Sequence, residues 1–181
     1  IKQHLPQTII ILGGPHASSA PDRCLRNKNI DAVVCGEGEE VVLAIMKNLQ
    51  NGLHPFEEVR GVIYHNGGHI VHNLPVSRIT DLDALPFPAY HLLPQLRYYK
   101  SRTRKWPFMG IVTSRGCPYQ CSFCSKDVFN SVITFRSPEN VFSEIDFLMK
   151  KLGIRQIDIL DDNFTMDRAR YERLCHLIIS G

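Results

Sequence analysis

Three cysteines lie close together in the stretch RGCPYQCSFCSK, from Arg115 to Lys126. Cys117, Cys121 and Cys124 have C-x3-C-x2-C spacing, and thiolates grouped in this way are ligands for soft metals and iron–sulfur clusters. A closed metal site normally has four protein ligands, so a set of three either lacks one or leaves a coordination position open. Three cysteines in one short loop are more typical of a reduced intracellular metal or redox site than of a disulfide framework.

Zinc is the plainest alternative for this loop. A zinc ion would need a fourth ligand, and Cys175 or His176 is a candidate. Both residues lie about fifty positions away on a predicted helix, without the paired C-x2-C knuckles that are typical of zinc sites. Cys24, Cys35 and Cys175 are predicted to be buried, small apolar side chains rather than metal ligands.

A second candidate group follows a predicted strand in the stretch ILDDNFT. Asp161, Asp162 and Asn163 stand where this buried strand stops. Because open α/β sheets bind ligands at the carboxyl ends of their strands, these side chains are candidate ligand contacts. The alternative is that Asp162 or Asn163 only stabilises a turn, which both residue types do well.

Two glycine loops occur near the amino terminus, in ILGGPHASSAP and VVCGEGEE. Each follows a predicted buried strand, at Thr8–Leu12 and Ala32–Cys35, and glycine allows a backbone to approach a ligand closely. Either loop alone is weak evidence for a phosphate or cofactor site.

The elements between these motifs indicate an α/β protein. Strand, loop and helix alternate, which predicts a parallel sheet with right-handed crossovers. The first part also contains a predicted amphipathic helix at Glu39–Asn51 and a β-hairpin that turns at Asn66, Gly67 and Gly68. The apolar face of that helix is predicted to comprise Val42, Ile45, Met46 and Leu49.

The second part repeats the pattern after a proline-rich connection. We predict a first domain at 1–80, an interdomain linker at 81–108 and a second domain at 109–181. The second domain begins with a strand at Met109–Ser114, and its first helix is predicted to start at Ser137 and Pro138 and to end at Gly153. Asp167 is predicted to cap the last helix.

The cysteine loop closely resembles the signature of the radical S-adenosylmethionine superfamily. The resemblance rests on the spacing, the preceding strand and the aromatic Phe123 directly before Cys124. It implies that Cys117, Cys121 and Cys124 bind three irons of a four-iron four-sulfur cluster, while the fourth iron chelates S-adenosylmethionine. It also implies cofactor contacts from Phe123 and from the Asp161–Asn163 group.

The glycine loops and the LPFPAYHLLP linker are similar to the second half of the cobalamin-binding domain in one branch of that superfamily. The implied fold is the end of a Rossmann-like domain followed by the first βα units of a partial (β/α)6 barrel, and we expect the native protein to extend at both ends. The residues implied to border the cobalamin are Gly13, Gly14, His16, Gly36, Glu37 and Gly38. His16 could instead only bind a loop carbonyl. The cobalt-ligating D-x-H-x-x-G motif is absent from these 181 residues.

The implied activity is reductive cleavage of S-adenosylmethionine for radical chemistry, with methyl transfer to carbon the commonest outcome and cyclisation or rearrangement also possible. One alternative is a radical methylthiotransferase acting on RNA or protein, whose amino-terminal domain would need three further cluster cysteines; only Cys24 and Cys35 are present there. An alternative of another class is a non-catalytic zinc-binding or cofactor-binding module.

Composition bears on the partners. The formal net charge is only +3, which gives no reason to expect nucleic acid, although the basic stretch RYYKSRTRK could touch it if it is not simply a solvated linker. No apolar run approaches the roughly 18 residues of a membrane span, so we expect a cytoplasmic protein. The expected partners are a small-molecule substrate and an external electron donor of the flavodoxin or ferredoxin type.

Overall fold

A computed structural model describes residues 1–93, 105–129 and 131–181 of the chain. Contacts divide it into two compact units: Ile1–Ile79 with Tyr119–Ser131, and Thr80–Pro118 with Val132–Gly181. Most of the basic stretch at 97–105 lies outside the described residues. The domain limits at 80 and 108 stay a prediction.

The first unit is built on a four-stranded sheet. Its strands are β1 (Ile11–Leu12), β2 (Ala32–Val34), β3 (Val62–Asn66) and β4 (His69–His72), in that spatial order. The pair β1 and β2 is parallel, whereas β3 runs antiparallel to both β2 and β4. The predicted hairpin is therefore confirmed and extends the sheet. All of β2 is buried, as expected for a run of Ala and Val at the centre of a sheet.

Three helices accompany this sheet: α1 (Pro15–Ser19), α2 (Pro21–Leu25) and α3 (Glu39–Gln50). The short helices α1 and α2 each start with a proline, whose missing N–H is not needed in the first turn. Helix α1 was not expected from the sequence, because GGPHASS contains too few apolar residues to show helical periodicity.

The apolar face predicted for α3 is correct for Ile45 but wrong for Val42, Met46 and Leu49, which are exposed. Val41 and Ile45 are buried in a core with Phe56, whereas Val42 and Met46 each remain 49% exposed. The helix carries apolar residues on two adjacent stripes, so periodicity alone cannot tell which one packs against the sheet. The stripe that includes Val41 and Ile45 is the one that contacts β2 and the segment after the helix.

The second unit begins with β5 (Phe108–Ile111), which pairs in parallel with β8 (Gln156–Ile159). Between them lie β6 (Ser114–Arg115), β7 (Thr134–Phe135) and α4 (Pro138–Leu152). The predicted single strand at Met109–Ser114 is thus interrupted at 112–113. The start of α4 is confirmed, since the Ser137 hydroxyl accepts a hydrogen bond from the Asn140 N–H at 3.1 Å.

The last helix, α5 (Arg168–Ser180), starts as predicted, because the Asp167 carboxylate accepts a hydrogen bond from the Arg170 N–H at 3.0 Å. Its Leu174 packs in the core with Val141 and Leu148 of α4. Cys175, the next residue, is exposed, so its predicted burial is wrong. No helix within the described ranges is both long and apolar enough to cross a bilayer.

Candidate functional site

The three cysteines of the motif lie in one closed loop of the chain. Strand β6 pairs antiparallel with β7, with Ser114 opposite Phe135 and Arg115 opposite Thr134. The segment between these strands, residues 116–133, is called the cysteine loop below, and the β6–β7 pair is its root. The loop therefore leaves and re-enters the second unit at one place.

The thiols of the cysteine loop are accessible. Cys121 and Cys124 are exposed and Cys117 is partly buried, and no disulfide links any cysteines of the described ranges. Phe123 is 91% exposed. Soft thiolate donors of this number fit an iron–sulfur cluster with one iron left without a protein ligand. Within the described residues no three His, Cys, Asp or Glu side chains are close enough together to hold a metal, so the ligand set stays a prediction.

Asp161 is turned toward the root of the cysteine loop. Its Oδ1 accepts a hydrogen bond from the Thr113 N–H at 2.6 Å. Its Oδ2 accepts hydrogen bonds from the hydroxyls of Thr113, at 2.5 Å, and Ser114, at 2.7 Å. Asp162 is exposed, and Asn163 precedes a short 3-10 helix at Phe164–Met166. Asp161 is thus bonded to the root of the cysteine loop, whereas Asp162 is exposed.

A buried arginine completes this group. Nη2 of Arg170 donates to both the carbonyl and the hydroxyl oxygen of Thr113 at 2.7 Å, and its Nε donates to the Arg136 carbonyl at 2.9 Å. The guanidinium also lies 4.9 Å from the centre of the Phe135 ring. Burial lowers the pKa of Arg170 from its ordinary value, although nearby Asp161 opposes the shift. The sequence analysis did not identify Arg170 as part of this site. The two hydroxyl residues Thr113 and Ser114, directly before the cysteine motif, were the only sequence feature that indicated a polar group here.

The first glycine loop has open space beside it. Gly14 has φ of +96°, and a Cβ added there would meet no atom within 4 Å. A Cβ at the exposed Gly13 would only reach ordinary contact with Val34, at 3.9 Å. His16 is exposed on α1, and its imidazole forms no hydrogen bond within the described part of the chain.

The second glycine loop makes close internal contacts. Gly36 has φ of +84°, and a Cβ there would lie 2.8 Å from Cγ1 of Val76. Glu37 is 6% exposed, and its Oε2 accepts a hydrogen bond from the Ile79 N–H at 2.8 Å. Gly38 directly precedes α3. Burial raises the pKa of the neighbouring Cys35 thiol. This loop thus holds the end of β2 against residues 76–79.

Replacing Gly36 with Ala is expected to destabilise the chain by about 2 to 4 kcal/mol, because the methyl group would meet Val76 and the backbone would be strained. Gly52→Ala is a matched control: Gly52 also has a positive φ of +69° but has no atom within 4 Å of the added Cβ. That change should cost only about 1 kcal/mol. Urea unfolding monitored by circular dichroism measures both values, and equal costs would contradict the role assigned to Val76.

A cluster of hydrogen bonds joins the cysteine loop to the first glycine loop. Asp127 accepts hydrogen bonds from the hydroxyls of Ser125 and of Ser19, the last residue of α1. The two serine hydroxyls are 3.3 Å apart. These bonds hold the pKa of Asp127 below its ordinary value, first through Ser125 and then through Ser19. Two segments selected independently from the sequence are therefore neighbours in the first unit.

Comparisons with known proteins identify related sequences and a related fold. Residues 1–46 match the B12 binding domain family. An uncharacterized methyltransferase of Pyrococcus horikoshii is 36% identical over 166 residues, covering 89% of this chain and 35% of the relative. An anaerobic magnesium-protoporphyrin IX monomethyl ester cyclase of Synechocystis is 29% identical, covering 99% of this chain and 36% of the relative. The chain thus spans about a third of the length of these relatives.

A solved structure shares the fold. The cobalamin-dependent S-adenosylmethionine radical enzyme OxsB, with aqua-cobalamin and S-adenosylmethionine bound, superposes with a TM-score of 0.79 and 22% sequence identity. The match covers 99% of this chain and 26% of that enzyme. The predicted fold class, a Rossmann-like part followed by the beginning of a barrel, is therefore confirmed.

Proposed function

We propose that this chain belongs to the branch of the radical S-adenosylmethionine superfamily whose members have a cobalamin-binding domain. On that premise, the whole protein is a cobalamin-dependent radical enzyme. The main support for the proposal is the position of the cysteine loop in the second unit. Its root follows β5 and is bonded to Asp161, which follows β8, so it stands at the carboxyl ends of two parallel strands. This is where open α/β sheets bind their ligands.

The cysteine loop supplies the ligands in this proposal. The thiolates of Cys117, Cys121 and Cys124 bind three irons of a four-iron four-sulfur cluster and leave the fourth iron to S-adenosylmethionine. When bound, the cluster supplies the electron for reductive cleavage of S-adenosylmethionine. Phe123 and Asp162 are both exposed, and each is a candidate contact for S-adenosylmethionine. Asn163, beside Asp162, is a further candidate contact.

The first unit holds cobalamin in this proposal. Gly13 and Gly14 offer the open space that a bulky planar ligand needs, and His16 stands beside them on the surface. In the second loop Gly36, Glu37 and Gly38 support the site by fixing the loop rather than through a free side chain. Hydrogen bonds from Ser19 to Asp127 keep the cysteine loop next to the first glycine loop.

Methyl transfer to a carbon of a small-molecule substrate is the proposed reaction, supported by the relative named as a methyltransferase. Ring formation is the second candidate, because another relative is a cyclase. The chemistry requires an electron donor, which we propose to be of the flavodoxin or ferredoxin type, and the reduced thiols suit a cytoplasmic location. A methylthiotransferase would need further cluster cysteines, and the buried Cys24 and partly buried Cys35 are poor candidates.

Elemental analysis of the whole protein tests the proposal. Protein purified and reconstituted without oxygen should contain about four irons, four sulfides and one corrinoid per chain. Stoichiometric zinc without sulfide would instead support a zinc-binding module. A full cluster without any corrinoid would leave a radical enzyme but contradict the assignment of the first unit.

A further inference from the structure

Asp161 has little remaining capacity to bind a ligand. A carboxylate has about four lone-pair positions, and three of those on Asp161 already accept hydrogen bonds from Thr113 and Ser114. Hydrogen bonds to an ionised acceptor are stronger than those between neutral groups. The carboxylate is therefore committed to the root of the cysteine loop.

The direction of these bonds is fixed by Arg170. Its guanidinium can only donate, so the Thr113 hydroxyl oxygen accepts from Nη2 and its single hydrogen must go to an acceptor. That acceptor is Oδ2 of Asp161. Thr113 is fully buried and Arg170 is nearly so, which makes each of these bonds costly to lose.

The same group fastens both strands of the root. Thr113 directly precedes β6, and its carbonyl accepts a hydrogen bond from the N–H of Arg136, which directly follows β7, at 3.0 Å. The Arg136 carbonyl in turn binds Nε of Arg170. An isolated two-stranded ribbon is only marginally stable, and β6 and β7 have two residues each. The root therefore depends on the buried bonds around Asp161.

We propose that Asp161 is a positioning residue that fixes the root of the cysteine loop through Thr113 and Ser114, and that it is not itself a contact of S-adenosylmethionine. The second clause rests on the proposed function, whereas the first can be tested without any cofactor. The two adjacent aspartates thus differ, since Asp161 is bonded to the root whereas Asp162 is exposed.

Hydrogen exchange in the cofactor-free whole protein tests the positioning role. Asp161→Asn should accelerate exchange of the Thr113 amide about tenfold or more, because the NH₂ group cannot accept the Thr113 and Ser114 hydroxyl hydrogens and the loss of those bonds loosens the root. Asp162→Asn should leave that amide unchanged. Thr113→Val should likewise accelerate exchange at the Arg136 amide, whereas Thr113→Ser, which keeps the hydroxyl, should not. Unchanged protection in Asp161→Asn would overturn the proposal.

Cluster-loaded protein tests whether Asp161 is a contact of S-adenosylmethionine. Asp161→Asn should lose iron to a chelator about fivefold faster than wild type, and its reduced cluster should give a heterogeneous electron paramagnetic resonance spectrum. Its affinity for S-adenosylmethionine should stay within about threefold of wild type. Asp162→Asn should retain iron normally but bind S-adenosylmethionine about tenfold more weakly. Leu174→Ala, a core change in the same unit, controls for simple destabilisation and should leave the spectrum homogeneous.

The hydrogen-exchange experiment and the experiment on cluster-loaded protein distinguish an error in the role of Asp161 from an error in the proposed function. If the whole protein takes up no cluster, the function fails, while hydrogen exchange still decides whether Asp161 fixes the root. If Asp161→Asn weakens S-adenosylmethionine binding tenfold with iron retention unchanged, Asp161 is a ligand contact and the proposal is wrong.

Discussion

Replacing Cys117, Cys121 or Cys124 with Ala is expected to reduce the cluster iron of the whole protein to less than about a tenth of the wild-type content. Each thiolate would bind a different iron, and alanine offers no ligand in its place. Outside the cysteine loop, the described residues contain no group of three His, Cys, Asp or Glu side chains that could hold a metal in its place. Iron and sulfide analysis with visible absorbance, on protein reconstituted without oxygen, measures the loss, and enzymatic activity should disappear with it.

Cys175→Ala is the matched control for these variants. Cys175 is exposed like Cys121 and Cys124 but lies on α5 outside the cysteine loop, so its removal should leave the iron content unchanged. Loss of metal in Cys175→Ala, together with zinc in the wild-type protein, would favour the zinc site with Cys175 as fourth ligand. A full iron content in Cys121→Ala would contradict the ligand set itself.

Local sequence signals predicted the ends of the two helices of the second unit well, whereas the predicted strands Thr8–Leu12 and Met109–Ser114 were too long. The Ser137 cap, the Asp167 cap and the left-handed Gly153 after α4 are all confirmed. Such features depend on the backbone groups of one helix turn, so the residues that satisfy them are close in sequence. The hairpin turn with Gly67 and Gly68 is predictable for the same reason.

Packing choices between distant segments could not be predicted in this way. Val41 rather than Val42 faces the core because of residues after the helix, such as Phe56. Similarly, Asp161 and Asp162 have the same chemistry and adjacent positions, yet only the fold shows that one binds Thr113, 48 residues earlier in the chain. Sequence identified the group, and tertiary contacts separate its members.

The glycines show the same limit. Gly14 and Gly36 both follow strands and both have positive φ, so the sequence treats them alike. A Cβ atom added to Gly14 would meet no atom within 4 Å, whereas one added to Gly36 would clash with the side chain of Val76. A bulky residue at Gly36 would disturb the fold whether or not cobalamin binds. Gly14→Val would also strain the backbone, since β-branched residues rarely adopt positive φ.

Gly13→Leu is therefore the sharper probe of cobalamin binding, and we expect it to weaken binding of hydroxocobalamin to the whole protein at least about tenfold, or about 1.4 kcal/mol. Gly13 is exposed and its backbone does not need a positive φ, so the fold should tolerate a side chain there with a stability change below about 1 kcal/mol. If the first glycine loop lies against the corrinoid, the isobutyl group would occupy the space of the ligand.

Spectroscopic titration with hydroxocobalamin measures the affinity, and urea unfolding of the same samples checks that the fold is intact. His69→Leu provides the control, because it adds the same apolar group at an exposed position on β4, at the opposite edge of the sheet from β1. That variant should bind like wild type. Wild-type affinity in Gly13→Leu would mean that the loop after β1 does not face the corrinoid, and the cobalamin site would then have to be formed by other residues of the whole protein.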